Sequence, residues 1–211
     1  MHDPILRSLP LVIQSFDHKF KGVIHAGFHK GQEMDLYNKI GIQNIIGYEP
    51  IPSIYLESKN KFPNVRLLNK AVGNMNGKVK INIERANEGQ SSSILQMKKH
   101  LKFFPQITFE YQIESEIVKL DSDIENKSDY DILIIDVQGY ELEVLKGAQE
   151  LLKNNIKIIV AELNKDELYE KCPLYSEIDN FLVDFGFKRV LTEWKKEGYG
   201  DGLYIKLWTK I

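Results

Sequence analysis

The chain has 211 residues, 43% of them hydrophobic, and a formal net charge of −2, which suits one domain with a sizeable core. That charge balance leaves no basic footprint for nucleic acid, and no uninterrupted apolar window of about eighteen residues points to a membrane span. The single cysteine, Cys172, excludes an internal disulfide and a cysteine-type zinc site. With Asp3, Arg7 and Asp17 around the first apolar stretch and no small-residue cleavage pattern, it sets the expectation of a cytoplasmic protein without a signal peptide.

Residues 4–16 read as an amphipathic helix, part of a helical cap over residues 1–20. Residues 22–27 (GVIHAG) form a short strand, and a helix is expected over 30–40, ended by Gly41. Residues 44–49 give a second strand, 52–62 a helix with Pro52 in its first turn, and 65–72 a third strand. This strand–helix alternation predicts a doubly wound, mostly parallel α/β sheet. The rhythm breaks over residues 74–120. There 78–85 alternates like an edge strand, 109–120 alternates loosely, and 86–106 reads as a long loop with Ser91–Ser93 and the basic run Lys98, Lys99, His100, Lys102. Regular order returns with a strand at 131–138, a helix at 141–152, a strand at 157–163 and a helix at 175–185. A final antiparallel pair, 187–194 with 203–208, is joined by a glycine-rich turn at 198–202.

The run DILIIDVQGYELEVLKG from Asp131 is the most informative stretch. Its apolar residues read as a strand buried on both faces that delivers Asp136 at its carboxyl end, where open α/β sheets place their ligands. Gly27 and Gly31 flank the turn after the first strand as G-x-x-x-G. This lacks the middle glycine of G-x-G-x-x-G, so the spacing suits a ligand without a diphosphate. Glu49 lies about twenty residues past Gly27, where this architecture sets an acid on ribose hydroxyls, and Pro50 stiffens the loop after it. Ala71, ending the third strand, is small enough for an adenine to lie against.

These positions describe a nucleoside-plus-tail pocket, and the chain resembles the FkbM-type S-adenosylmethionine-dependent methyltransferases. The resemblance rests on His25-Ala26-Gly27-Phe28-His29-Lys30-Gly31-Gln32, Tyr48-Glu49-Pro50, Asn69-Lys70-Ala71-Val72, the serines at 91–93, Leu120-Asp121, the block from Asp136 to Glu141 with Val144-Leu145-Lys146-Gly147-Ala148, and Ala161-Glu162. It implies a single Rossmann-like class I methyltransferase domain over residues 1–211. Its seven-stranded, mostly parallel sheet carries a C-terminal antiparallel hairpin and an insert near 74–120. It also implies S-adenosylmethionine contacts at His25, Gly27, Gly31, Gln32, Glu49, Pro50, Ala71 and Asp136. The family's first loop usually opens with Asp where this chain has His25, a side chain whose charge is expected to depend on pH near neutrality.

The implied reaction is methyl transfer to oxygen, with a sugar hydroxyl of a glycan or glycosylated metabolite as the expected acceptor. Asp136 leads as the proton-accepting base, with Glu162 as its neighbouring acid and His29 as a second candidate. Asp136 and Glu162 together leave Mg²⁺ as an open option. Ser92, Gln138 and Tyr140 are expected at the acceptor, with the serine loop and its lysines as a lid suited to an anionic ligand. Tyr199, Trp194 and Trp208 are further aromatic faces for a sugar. Two alternatives stay open: a binding module without turnover, and an NAD-dependent oxidoreductase. No nucleic-acid partner is expected, and homo-oligomerisation is left open.

Overall fold

The computed structural model describes residues 4–207. In chain order the elements are α1 (Pro4–Gln14), β1 (Gly22–Ala26), α2 (Met34–Lys39), β2 (Asn44–Tyr48), α3 (Pro52–Lys61), β3 (Arg66–Leu68), β4 (Ala71–Val72), β5 (Gly77–Ile83), α4 (His100–Phe103), β6 (Tyr111–Val118), α5 (Leu120–Asp123), β7 (Ile132–Ile135), α6 (Glu141–Lys146), α7 (Gln149–Asn154), β8 (Ile158–Asn164), α8 (Tyr175–Val183), β9 (Phe187–Trp194) and β10 (Tyr199–Lys206). Seven strands form one sheet in the order β3-β2-β1-β7-β8-β10-β9. Strands β3 to β8 of that order run parallel, and β10 pairs antiparallel with both β8 and β9. The central strands β1 and β7 are buried at every residue, as continuous apolar runs in a covered parallel sheet require.

Alternating side chains feed two cores. One face buries Ile24, Leu133 and Ile159 against Val144, Leu151 and Leu182 of α6, α7 and α8. The other buries Val23, Ile134 and Val160 under Leu9 of α1 and Tyr37 of α2. A second, three-stranded sheet (β4-β6-β5) stands over the β2 side and packs against Ile51 and Ile54. It is the insert expected near 74–120. Among the described residues no helix is long and apolar enough to cross a membrane.

Four boundaries differ from expectation, each for a local reason. The helix expected over 30–40 starts only at Met34, because Phe28 to Gly31 are spent in a turn closed by Gly31 N–H donating to Phe28 O at 3.0 Å. The strand expected over 65–72 splits: β3 stays in the main sheet while β4 leaves to pair with β6. The helix expected over 141–152 breaks into α6 and α7 at Gly147, where a Cβ would lie 1.9 Å from Gly73 O. The glycine-rich segment 198–202 is mostly strand rather than turn, since β10 begins at Tyr199 and the chain reverses at 195–198. Trp208 lies outside the described residues.

Candidate active site

The carboxyl ends of β1, β2, β7 and β8 open into one cleft of about 890 Å³, bounded also by the serine loop and by β10. Gly27, Gln32, Glu49, Pro50, Ala71, Ser92, Asp136, Gln138 and Glu162 all border it. Gly27 turns the chain at φ +85°, with its Cα packed so tightly on the Asp136 carbonyl that a Cβ would sit 1.8 Å from that oxygen. The ends of β1 and β7 are thereby locked together where backbone faces the cleft.

Glu49, just past β2, is 4% exposed yet borders the cleft. One carboxylate oxygen accepts His29 N–H at 3.0 Å and the other accepts Ile51 N–H at 2.8 Å. Burial outweighs these donors and pushes its pKa up to about 7. Each oxygen retains a lone pair, so a ribose diol would find two acceptors here. The cradle of Gly27, Glu49 and the small Ala71 fits the nucleoside of S-adenosylmethionine. A consequence is measurable. Hydroxyl donors favour the ionised carboxylate, so binding of S-adenosylhomocysteine, the demethylated product, should be about tenfold weaker at pH 6 than at pH 8. Titration calorimetry at the two pH values reads this, and Glu49→Gln should flatten the profile while weakening binding at pH 8. The sign for stability is opposite. Because the folded pKa exceeds the ordinary 4.5, the unliganded fold loses stability as pH rises from about 4.5 to about 7.

At the end of β7 an amide bridges two acids. Asp136 and Glu162 stand level on neighbouring strands, one step past the Ile135–Ala161 pair. Gln138 Nε2 donates to Asp136 Oδ1 at 2.7 Å and to Glu162 Oε2 at 3.2 Å, while Tyr169 OH donates to Gln138 Oε1 at 2.8 Å. Gln138 adopts φ +55°, and its carbonyl accepts Ser93 Oγ–H at 2.7 Å. Burial, and then Asp136, Glu141 and Asp201 nearby, raise the pKa of the Glu162 carboxyl well above its usual range. Beneath the turn, buried Glu141 accepts Val137 N–H at 3.1 Å and Gly139 N–H at 3.0 Å through Oε1. Its role is to brace the turn, and burial pushes its pKa up to about 7. The Mg²⁺ expectation finds no support. A hydrogen-bond donor occupies the space between the two carboxylates, and among the described residues no group of three His, Cys, Asp or Glu side chains could hold a metal.

Several expected contacts are placed elsewhere. His25 borders the cleft but is 3% exposed, with Nδ1 on Tyr37 OH at 3.0 Å and its ring against Phe28. Burial drops its pKa to about 3, so its charge does not change near neutrality as expected. His29 borders the cleft, but both its ring nitrogens are engaged: Gln32 Nε2 donates to its Nδ1 at 2.8 Å, and its Nε2 donates to Glu88 O at 2.9 Å. Both nitrogens are spent strapping the glycine turn to the serine loop. Gly31 (φ +64°) does not border the cleft; a Cβ there would meet the Phe62 and Phe28 rings. Tyr140 also stands away from it, packed over Gly73 and the Ile117 cluster. Trp194 packs on Tyr175 instead of the cleft. The lysines expected to meet an anion do not border it either: Lys98 pairs with Glu167 and Lys99 with Asp166, at 2.6 Å for the latter.

Three contributors were not singled out from sequence. Glu84, 1% exposed, accepts Asn87 N–H at 2.7 Å and Ser91 N–H at 3.1 Å and so shapes the serine loop. Tyr169 orients Gln138 from an irregular connection that offers no periodic signal. Asp201 faces Glu162 across the β8–β10 register, which sequence alone does not fix.

Comparison with known proteins agrees with this arrangement. The methyltransferase FkbM domain matches residues 25–189. Among solved structures, methyltransferase FkbM from Methylobacillus flagellatus KT superposes with a TM-score of 0.59 at 11% identity, covering 91% of this chain and 46% of that one. This chain thus spans about half the length of that protein. Magnesium protoporphyrin IX methyltransferase from Synechocystis PCC 6803 gives 0.53 at 12% identity, over 96% and 78% of the two chains. The ribosomal protein L11 methylase from Lactobacillus delbrueckii subsp. bulgaricus gives 0.53 at 10%, over 98% and 80%. At such identities the likeness is one of fold. No curated protein matches the chain. With the domain match spanning most of the chain, the chain belongs to the FkbM methyltransferase family.

Proposed function

We propose that this protein moves a methyl group from S-adenosylmethionine to a hydroxyl, with a sugar of a glycan or glycosylated metabolite as acceptor. The observation that carries the reading is the bridged pair at the end of β7: Asp136 exposed and bordering the cleft, with Glu162 beside it joined through the Gln138 amide. When bound, S-adenosylmethionine supplies an electrophilic methyl on a sulfonium. A hydroxyl oxygen must shed its proton as it attacks, and Asp136 is the acceptor for that proton. A positioned base adds about 10²–10⁴-fold. The raised Glu162 carboxyl resists a second full charge in the space beside Asp136. Gln138 fixes the angle of both carboxyls, and Gly27 and Glu49 hold the nucleoside.

Transfer is tested by release of S-adenosylhomocysteine against a panel of methyl glycosides. Asp136→Asn is expected to lower turnover by at least about 10²-fold while S-adenosylhomocysteine binding stays within about threefold. Turnover that survives in Asp136→Asn would remove Asp136 as the base. Tight binding of the product with no transfer to any hydroxyl acceptor would favour the binding module without turnover.

A further inference from the structure

The cleft continues beyond the cofactor side. On the α1 face of the sheet, His25, Ile134 and Val160 are cross-strand neighbours that floor it. Two residues past Val160, on the same face, stands Glu162, and paired with it on β10 is Asp201. The opposite wall is aromatic. Phe104 and Tyr199 meet edge to face with ring centroids 6.4 Å apart, and His100 lies 5.0 Å from Phe104. All three border the cleft. His100 is 4% exposed, and its buried Nδ1 has no hydrogen-bond partner among the described residues. Of the cations that border the cleft, Lys195 is balanced by Glu193 at 3.6 Å and Lys70 by Asp123 at 2.8 Å, while Arg7 of α1 is exposed; the loop lysines Lys98 and Lys99 are tied to Glu167 and Asp166 outside it.

We propose that this wing is the acceptor subsite and that it selects a neutral polyhydroxylated ring, with Tyr199 and Phe104 lining its C–H face and Asp201 and the Glu162 carboxyl bonding its hydroxyls. The proposal rests on the hydroxyl-transfer reading and refines it. A carboxylate suits vicinal hydroxyls because its two oxygens accept side by side. An aromatic face suits the apolar side of a pyranose. A phosphorylated or carboxylated acceptor would instead enter beside Asp136 and Asp201, whose acidic side chains disfavour it.

Saturation-transfer NMR on the protein filled with S-adenosylhomocysteine tests this, using a pool of methyl glucoside, mannoside and rhamnoside against glucose 6-phosphate. At least one neutral glycoside should receive saturation on its ring protons, at least fivefold more than the phosphorylated sugar. Tyr199→Ala and Asp201→Asn should each cut that signal at least fivefold, with S-adenosylhomocysteine affinity within twofold of wild type, which also reports a native fold. An equal or stronger response from glucose 6-phosphate overturns the selectivity. A glycoside signal indifferent to both variants, or no signal from any neutral probe, overturns the subsite. These failures are distinct from loss of the methyltransferase reading, in which S-adenosylhomocysteine itself would not bind.

Discussion

Replacing Gly27 with Ala is expected to abolish measurable cofactor binding and to lower the melting temperature by more than about 10 °C. Two effects add at one atom. The backbone sits at φ +85°, where a side chain costs about 1–3 kcal/mol. The new Cβ would also lie 1.8 Å from the Asp136 carbonyl oxygen, a backbone atom that cannot rotate away. Relief requires parting the ends of β1 and β7, whose pairing sets both the glycine turn and the carboxylate. A loss above about 4–5 kcal/mol belongs to the exceptional class of single substitutions. For a chain of this size it corresponds to roughly 2–4 °C per kcal/mol. Gly41→Ala is the graded control. Its φ of +75° carries a similar backbone penalty, but a Cβ there meets nothing within 4 Å, so only a shift of a few degrees is expected. Thermal melts and calorimetry of the two variants separate strain from collision. Equal melting temperatures would show that the β1–β7 contact gives way more easily than its geometry implies.

Gln138→Ala is expected to slow methyl transfer by at least about 10²-fold while product binding changes by less than about tenfold. The substitution deletes the donor shared by Asp136 and Glu162 and the acceptor of the Tyr169 hydroxyl. Hydrogen bonds to charged groups are worth about 1.5–3 kcal/mol, so losing the orientation of Asp136 alone accounts for one to two orders of magnitude. The φ of +55° burdens Ala and Gln alike, so the comparison isolates the side chain. Gln138→Glu should be slower still, because a third carboxyl replaces the amide donor that bridges the two others. Single-turnover rates at saturating cofactor read both variants. A rate within threefold of wild type in Gln138→Ala would mean that the bridge merely fills space.

The parts of the fold that were legible in the sequence are those fixed by local burial. The run Ile132–Ile135 admits little but a strand covered on both faces, and it carries Asp136 to the sheet edge with it. Glu49 and Ala71 followed from spacing along an alternating chain, and both border the cleft. What escaped was set by contacts distant in sequence. Nothing near Gly147 announces that Gly73 O presses on it and divides a helix of good formers. The glycines at 200 and 202 resemble a turn, yet they serve a strand because Glu193 O and Leu163 leave no room for side chains. His25 stands where the family carries an acid, but only its partnership with Tyr37 and its burial reveal a neutral group. Lys98 and Lys99 looked like an anion trap until their acidic partners, nearly seventy residues on, came into view.

The segment between β5 and β6 leaves and rejoins the insert at a single neck, where Glu110 N–H donates to Ile83 O at 2.8 Å. The residues that roof the cleft from this side, from Glu84 through the serines to Phe104, lie within that excursion, which is pinned part-way by the Asn82–Ser93 pair. Such an excursion can change length cheaply, since doubling a flexible loop adds only about 0.6 kcal/mol of closure entropy. It is tied down at two fronts: Glu88 to His29 and Lys30 with Ser93 to Gln138, and residues 96–100 to the 166–170 connection, where Lys98 and His100 N–H donate to Leu168 O and Glu170 N–H to Gln96 O. Between the second front and the neck, residues 101–109 make only local backbone hydrogen bonds among the described residues, yet Phe104 and Ile107 border the cleft. Descendants of this chain can therefore try new acceptors most cheaply by rewriting 101–109, while the nucleoside cradle and the acid pair are inherited untouched.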